Sequence, residues 1–131
     1  MAIKWPGGDA SRIVADTALS WANSALVNTE RSVDLGSPED VSRQPNAGLL
    51  VIVRNPSLVT DLAGEIRVQY IDNGTTRWAK LTSFTAVRNN ADGEAFLIDA
   101  GLLTRTQVVL ENATVLGGSD GFSARVVVRA F

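Results

Sequence analysis

The sequence predicts an all-β fold, an antiparallel β-sandwich or jelly roll of about seven or eight strands preceded by an irregular N-terminal arm. Three observations carry this expectation. The C-terminal stretch alternates, with Phe122, Ala124, Val126, Val128 and Ala130 on one face and Ser123, Arg125, Val127, Arg129 and Phe131 on the other; that is the period of two a pleated strand imposes. Asp72-Asn73-Gly74 closes a second alternating run and is a strong hairpin signal, because a type I′ turn needs positive φ at both central residues. From residue 48 onward, short apolar runs recur at regular spacing with Gly, Asn and Pro turns between them, the pattern of sandwiches and jelly rolls.

The length of 131 residues suits one core, and folding at this size buries roughly two-thirds of the unfolded surface. Residues 1–25 are expected to form an N-terminal arm and residues 26–131 the β-sandwich domain. In the arm, Trp5-Pro6-Gly7-Gly8 is not a regular element. Ile13, Val14, Ala18, Trp21 and Ala25 fit neither the helical nor the strand period, so that stretch reads as either a weak helix or an extended arm. A strand spanning about residues 26–35 is expected, then a polar loop at residues 36–40. Leu49-Leu50-Val51-Ile52-Val53-Arg54-Asn55 reads as a strand closed by Asn55-Pro56. Glu65-Ile66-Arg67-Val68-Gln69-Tyr70 alternates, placing Ile66, Val68 and Tyr70 on the core side and Glu65, Arg67 and Gln69 on the polar side. The returning strand, residues 75–85, carries Trp78, Leu81 and Phe84. Asn89-Asn90-Ala91-Asp92-Gly93 reads as a loop, residues 94–98 as a short strand, residues 106–112 as the next strand, and Gly117-Gly118-Ser119-Asp120-Gly121 as a Gly-rich loop.

Composition narrows the function. Hydrophobic residues make up 45% and charged residues 20%, which is ordinary for a packed domain. Twelve Lys and Arg against fourteen Asp and Glu give a net charge of −2 without a like-charge run, a poor match for nucleic-acid phosphates. The N-terminus has no apolar signal-peptide core and the apolar run at residues 48–53 is too short to span a bilayer, so a cytosolic protein with no membrane partner is expected. The sequons at Asn73 and Asn112 are then chance matches.

With no His and no Cys, the usual general base, metal ligand and reactive nucleophile are all missing, and no enzyme, cofactor or metal site is expected. The acids Asp92, Glu94, Asp99, Glu111 and Asp120 fall in expected loops or on polar strand faces, where carboxylates are solvated and not paired across a cleft. Asp92-Gly93-Glu94 and Ser119-Asp120-Gly121 lack the acid count of a calcium loop and read as ordinary Asx or Gly turns. Tyr70 and Trp78 lie on the two arms of the hairpin and would form a glycan-stacking platform if both were exposed, but Tyr70 shares its face with Ile66 and Val68, so burial is favoured for it. Trp5, beside Pro6-Gly7-Gly8, has no local core to enter. With Ile13 and Trp21 it is the candidate partner anchor of the arm.

The order of Leu49-Leu50-Val51-Ile52-Val53-Arg54-Asn55-Pro56, Glu65-Ile66-Arg67-Val68-Gln69-Tyr70, Trp78-Ala79-Lys80-Leu81-Thr82-Ser83-Phe84 and Phe122-Ser123-Ala124-Arg125-Val126-Val127-Val128 resembles the small β-sandwich decoration, or cement, proteins on the heads of tailed bacteriophages. The resemblance covers about residues 26–131 and rests on pattern and turn placement, with no signature motif. It implies a non-catalytic virion protein, made in the host cytoplasm, that binds the capsid exterior as a trimer and clamps neighbouring major capsid protein subunits. The alternatives are a glycan-binding sandwich of a phage tail and a carbohydrate-binding module.

Overall fold

The computed structural model of the protein describes residues 12–36, 48–98 and 104–130, and within them the chain forms eight strands: β1 (Arg12–Trp21), β2 (Glu30–Asp34), β3 (Leu49–Asn55), β4 (Leu62–Asp72), β5 (Thr75–Ala86), β6 (Asn90–Ile98), β7 (Thr106–Asn112) and β8 (Phe122–Ala130). They make two four-stranded sheets, ordered β1-β8-β3-β6 and β2-β7-β4-β5, and every pairing is antiparallel. The first strand pairs with the last, the second with the seventh, the third with the sixth and the fourth with the fifth. That is a long hairpin rolled around itself, the jelly-roll arrangement.

The core lies between the two inner faces. Leu49, Val51 and Val53 of β3 and Ala124, Val126, Val128 and Ala130 of β8 meet Leu62 and Ile66 of β4, Val108 and Leu110 of β7, and Val33 of β2. Val126 and Val128 are fully buried, whereas Arg125 and Arg129 point outward, as the alternation of the last strand predicts. Phe131 lies outside the described residues.

The expectation that residues 1–25 lie outside the fold does not hold for residues 12–21. These form β1, paired along its length with β8 from Arg12 against Ala130 to Trp21 against Phe122. The irregular apolar spacing has a physical cause, a register shift between Ile13 and Ala15: one extra residue in an edge strand interrupts a period-two pattern without ending the strand. Residues 1–11, with Ile3 and Trp5, lie outside the described residues.

Three further boundaries differ from expectation. The strand expected to span about residues 26–35 begins only at Glu30, because Ser24 (φ 63°) and Asn28 (φ 61°) adopt left-handed backbone that extended structure does not admit. The Asn-Asp-Gly stretch at 89–93 is mostly strand. The connection turns at Asn89 (φ 56°), and the remaining loop signal belongs to a bulge: Val53 faces Glu94 while Asn55 faces Asn90, with Gly93 at φ 99° absorbing the extra residues. Finally, Tyr70 is 46% exposed, not buried. The register shift between Ile66 and Arg67 places its extra residue, Leu81, on β5 and leaves the alternation of β4 intact, but the register of β4 with β7 ends at Val68. Beyond it Gln69 N–H still donates to Arg105 O at 2.8 Å, and past that bond the β4-β5 hairpin extends as a two-stranded ribbon that pairs with no further strand among the described residues.

Candidate functional site

Antiparallel register determines which side chains share a face. On the outer face of the β2-β7-β4-β5 sheet, successive rows read Thr85, Ala63, Glu111 and Glu30; then Ser83, Glu65, Val109 and Ser32; then Lys80, Arg67, Gln107 and Asp34. Trp78 opposite Gln69 continues the face onto the ribbon. Small side chains floor the middle of this grid and long polar ones rim it. The result is a shallow depression of about 340 Å³ whose lining includes Ala63, Glu65, Arg67, Ser83, Val109 and Glu111.

Arg67 organises the rim. Its Nε donates to Glu65 Oε2 at 2.8 Å, two residues away on the same strand, and its Nη1 donates to Glu30 Oε1 at 2.5 Å on β2. Because β7 runs between β4 and β2, the Arg67–Glu30 link crosses β7 diagonally above Val109. This explains why Val109, on an outward-facing position, is only 2% exposed. The hydrogen bond from Arg67 to Glu65, with the nearby Glu30 charge, raises the Arg67 pKa above its ordinary value against the opposing effect of partial burial. At the edge of the face, Arg105 donates to Asp34 Oδ2 from Nε (3.0 Å) and Nη2 (2.6 Å). That hydrogen bonding, with a contribution from Gly36 N–H and opposed by partial burial, holds the Asp34 carboxyl below the usual carboxylate range. The face thus presents carboxylate acceptors, guanidinium donors, the hydroxyls of Ser32, Ser83 and Thr85, and one indole within a few strand widths.

The outer face of the other sheet has a different character. Leu97, Leu50, Arg129 and Ile13 form one row, Ala95, Ile52, Val127 and Asp16 the next. Arg125 is clamped by Asp16 at 2.9 Å through both Nε and Nη2, and this pairing lowers the pKa of Asp16. This face is apolar with cationic borders.

Tyr70 and Trp78 do not form one platform. Tyr70 pairs with Arg77 and Trp78 with Gln69. Cross-strand partners share a face, so the two rings point to opposite sides of the ribbon. Trp78 is half-buried on the polar outer face. Of the three arm anchors, Ile13 is exposed on β1 and Trp5 lies outside the described residues. Trp21 is a core residue: it is 2% exposed, stacks on Phe122 with centroids 5.0 Å apart, and donates its indole N–H to Thr29 O at 2.8 Å.

Of the acids weighed as catalysts, only Glu111 among the described residues lies on the polar face. Asp92 is exposed and Glu94 half-buried on β6, Asp120 accepts the N–H of Gly117 at 2.8 Å in an ordinary turn, and Asp99 is outside the described residues. Among the described residues no group of three or more acids comes together as a metal-ligand set. Sequence alternation did place Glu65, Arg67 and Gln69 on one polar face. Their meeting with Glu30 and Glu111 depends on sheet order, which no local pattern announces.

No family model matches the chain, and no curated protein matches it. Among solved structures, the chain is similar to one from work on the promiscuous specificity of carbohydrate-binding modules of the β-sandwich superfamily, at 13% identity and a TM-score of 0.44, covering 89% of this chain and 54% of that one. It therefore spans about half the length of that structure. It is also similar to the C-terminal family 22 carbohydrate-binding module of Clostridium thermocellum Xyn10B, at 14% identity and a TM-score of 0.39, covering 95% of this chain and 87% of that one.

Proposed function

We propose that the protein is a non-catalytic β-sandwich binding module that holds a polyhydroxylated ligand, a glycan, on the outer face of the β2-β7-β4-β5 sheet. The observation that carries this reading is the depression floored by Ala63 and Val109, rimmed by Glu65, Glu111 and Arg67, and continued by the half-buried Trp78. Sugar hydroxyls both donate and accept, so they match a surface that offers carboxylate acceptors beside a guanidinium donor. The apolar face of a sugar ring suits the face of an indole. A pre-organised rim limits the entropy lost on binding, and Arg67, tied to two strands at once, supplies that order.

Catalysis has little to draw on. The sequence contains no His and no Cys, and hydrogen bonding to Arg125 and Arg105 holds the Asp16 and Asp34 carboxyls below the usual carboxylate range. A general acid at neutral pH needs the opposite direction. The test is isothermal titration against a panel of neutral and acidic oligosaccharides, with saturable binding to at least one expected. Failure to bind any member across the panel would remove the proposal.

A second reading, attachment to the exterior of a phage capsid, is favoured by the apolar outer face of the other sheet. There Leu97 is 64% and Ile13 58% exposed, beside the half-buried Leu50, Ile52 and Val127. Apolar surface of this kind marks a contact with another protein. Co-sedimentation with undecorated heads tests it: Leu97→Asp is expected to abolish pelleting of a protein that otherwise pellets, and absence of pelleting by the parent would end this reading.

A further inference from the structure

Three Asx-Gly pairs occur in the sequence, Asn73-Gly74, Asp92-Gly93 and Asp120-Gly121. They share one reaction: the amide nitrogen of the glycine can attack the side-chain carbonyl carbon of the residue before it, since a glycine has no Cβ to obstruct the approach. Whether it does so depends on what holds that nitrogen. Gly93 N–H donates to Asn90 Oδ1 at 3.0 Å and Gly121 N–H to Asn23 Oδ1 at 2.7 Å. Both glycines are also hemmed in, since a Cβ on Gly93 would lie 3.2 Å from Arg54 Cγ and one on Gly121 2.6 Å from Asn23 Oδ1. At Gly74 nothing stands within 4 Å of the Cβ position. Neither its N–H nor the Asn73 carboxamide has a hydrogen-bond partner among the described residues, and both residues are exposed. They form the tip of the β4-β5 ribbon, beyond the register of β4 with β7. A two-stranded ribbon is marginally stable by itself, so its tip opens locally at far less cost than the core.

We propose that Asn73 is a site of spontaneous covalent modification, because of the three pairs only its nucleophile is unguarded. The Gly74 amide nitrogen gives its proton to solvent and bonds to Asn73 Cγ. The Cγ–Nδ2 bond breaks, and the side-chain nitrogen leaves as ammonia. The product is a five-membered succinimide, which water opens at either ring carbonyl. One opening gives aspartate at position 73. The other gives isoaspartate, in which the main chain runs through the side-chain carbons. One water is consumed and one ammonia released, with no oxidant, cofactor or enzyme. Either product adds a carboxylate beside the exposed Asp72, which pairs with Arg77 at 3.0 Å. Isoaspartate also lengthens the backbone of a two-residue turn, and the turn fixes the register of a hairpin. Trp78, opposite Gln69, stands on that ribbon, so conversion loosens the end of the polar face that carries it.

The experiment is incubation of the purified full chain and of its Gly74→Ala variant in mildly alkaline buffer, with aliquots digested and the peptides resolved by mass and by chromatography. In the parent, Asn73 is expected to convert at least about tenfold faster than Asn23, Asn28, Asn89, Asn90 or Asn112, to a mixture of aspartate and isoaspartate. Over the same period Asp92 and Asp120 are expected to acquire no isoaspartate. Gly74→Ala is expected to slow the conversion about tenfold, because a methyl group then stands beside the attacking nitrogen. The proposal is overturned by an Asn73 that stays intact until guanidinium unfolds the chain, or by a rate no greater than at the other asparagines. Isoaspartate appearing first at Asp92 or Asp120, or a Gly74→Ala protein that converts as fast as the parent, overturns it equally. Peptide mass carries the readout, so failure here leaves the glycan reading standing.

Discussion

At Asn73 and Gly74 the backbone has φ of 50° and 81°, the pair of positive values a type I′ turn requires, and Asp72 faces Thr75 across it. No heavy atom lies within 4 Å of where a Cβ on Gly74 would sit, so a substitution there meets strain and not collision. Gly74→Val is expected to cost about 1 kcal/mol or more, because a β-branched residue is an outlier in the left-handed region; thermal melting checks this, and an unchanged midpoint would contradict it. This turn was legible in the sequence because its signal is entirely local. The environment of Asn112 was not: its amide makes three hydrogen bonds in a fully buried site. The sequon it begins is closed to glycan attachment by packing that involves residues far away in sequence.

Strands were legible where one face is buried throughout. The bounds of β3, β7 and β8 follow their apolar patterns closely, since sandwich strands facing a core must alternate. Elements at the margins were harder to read. β1 is an edge strand with a register shift, and its residues looked periodless for that reason, while the β4-β5 ribbon runs past its sheet neighbour and so exposes Tyr70 in a pattern that reads as core. The role of β1 has a measurable consequence. Trp21→Ala removes a ring stacked on Phe122 and the donor to Thr29, in a fully packed site. Truncations of this kind cost about 3 to 5 kcal/mol, which lowers the melting temperature by roughly 10 °C or more in a domain of this size. A Trp21→Ala protein that melts with the parent would contradict the placement of β1 in the fold.

At the scale of the molecule, the rolled hairpin brings Glu30, Glu65, Arg67, Trp78, Val109 and Glu111 onto one face from positions spread over more than half of the chain. Sequence alternation could assign each residue a side but not a neighbour, and so the candidate platform was sought on the two arms of one hairpin, where register separates Tyr70 from Trp78. The two sheets end with unlike outer faces, one polar and carboxylate-rimmed, the other apolar and bordered by arginine. The claim on which this account turns is that the polar face, and within it Trp78, holds the ligand. The most direct test is a titration of the W78A and Y70A variants with the oligosaccharide the parent binds. W78A is expected to weaken binding about tenfold or more, a loss of about 1.4 kcal/mol, while Y70A stays within about twofold of the parent; a loss confined to Y70A, or the same loss in both, would contradict it.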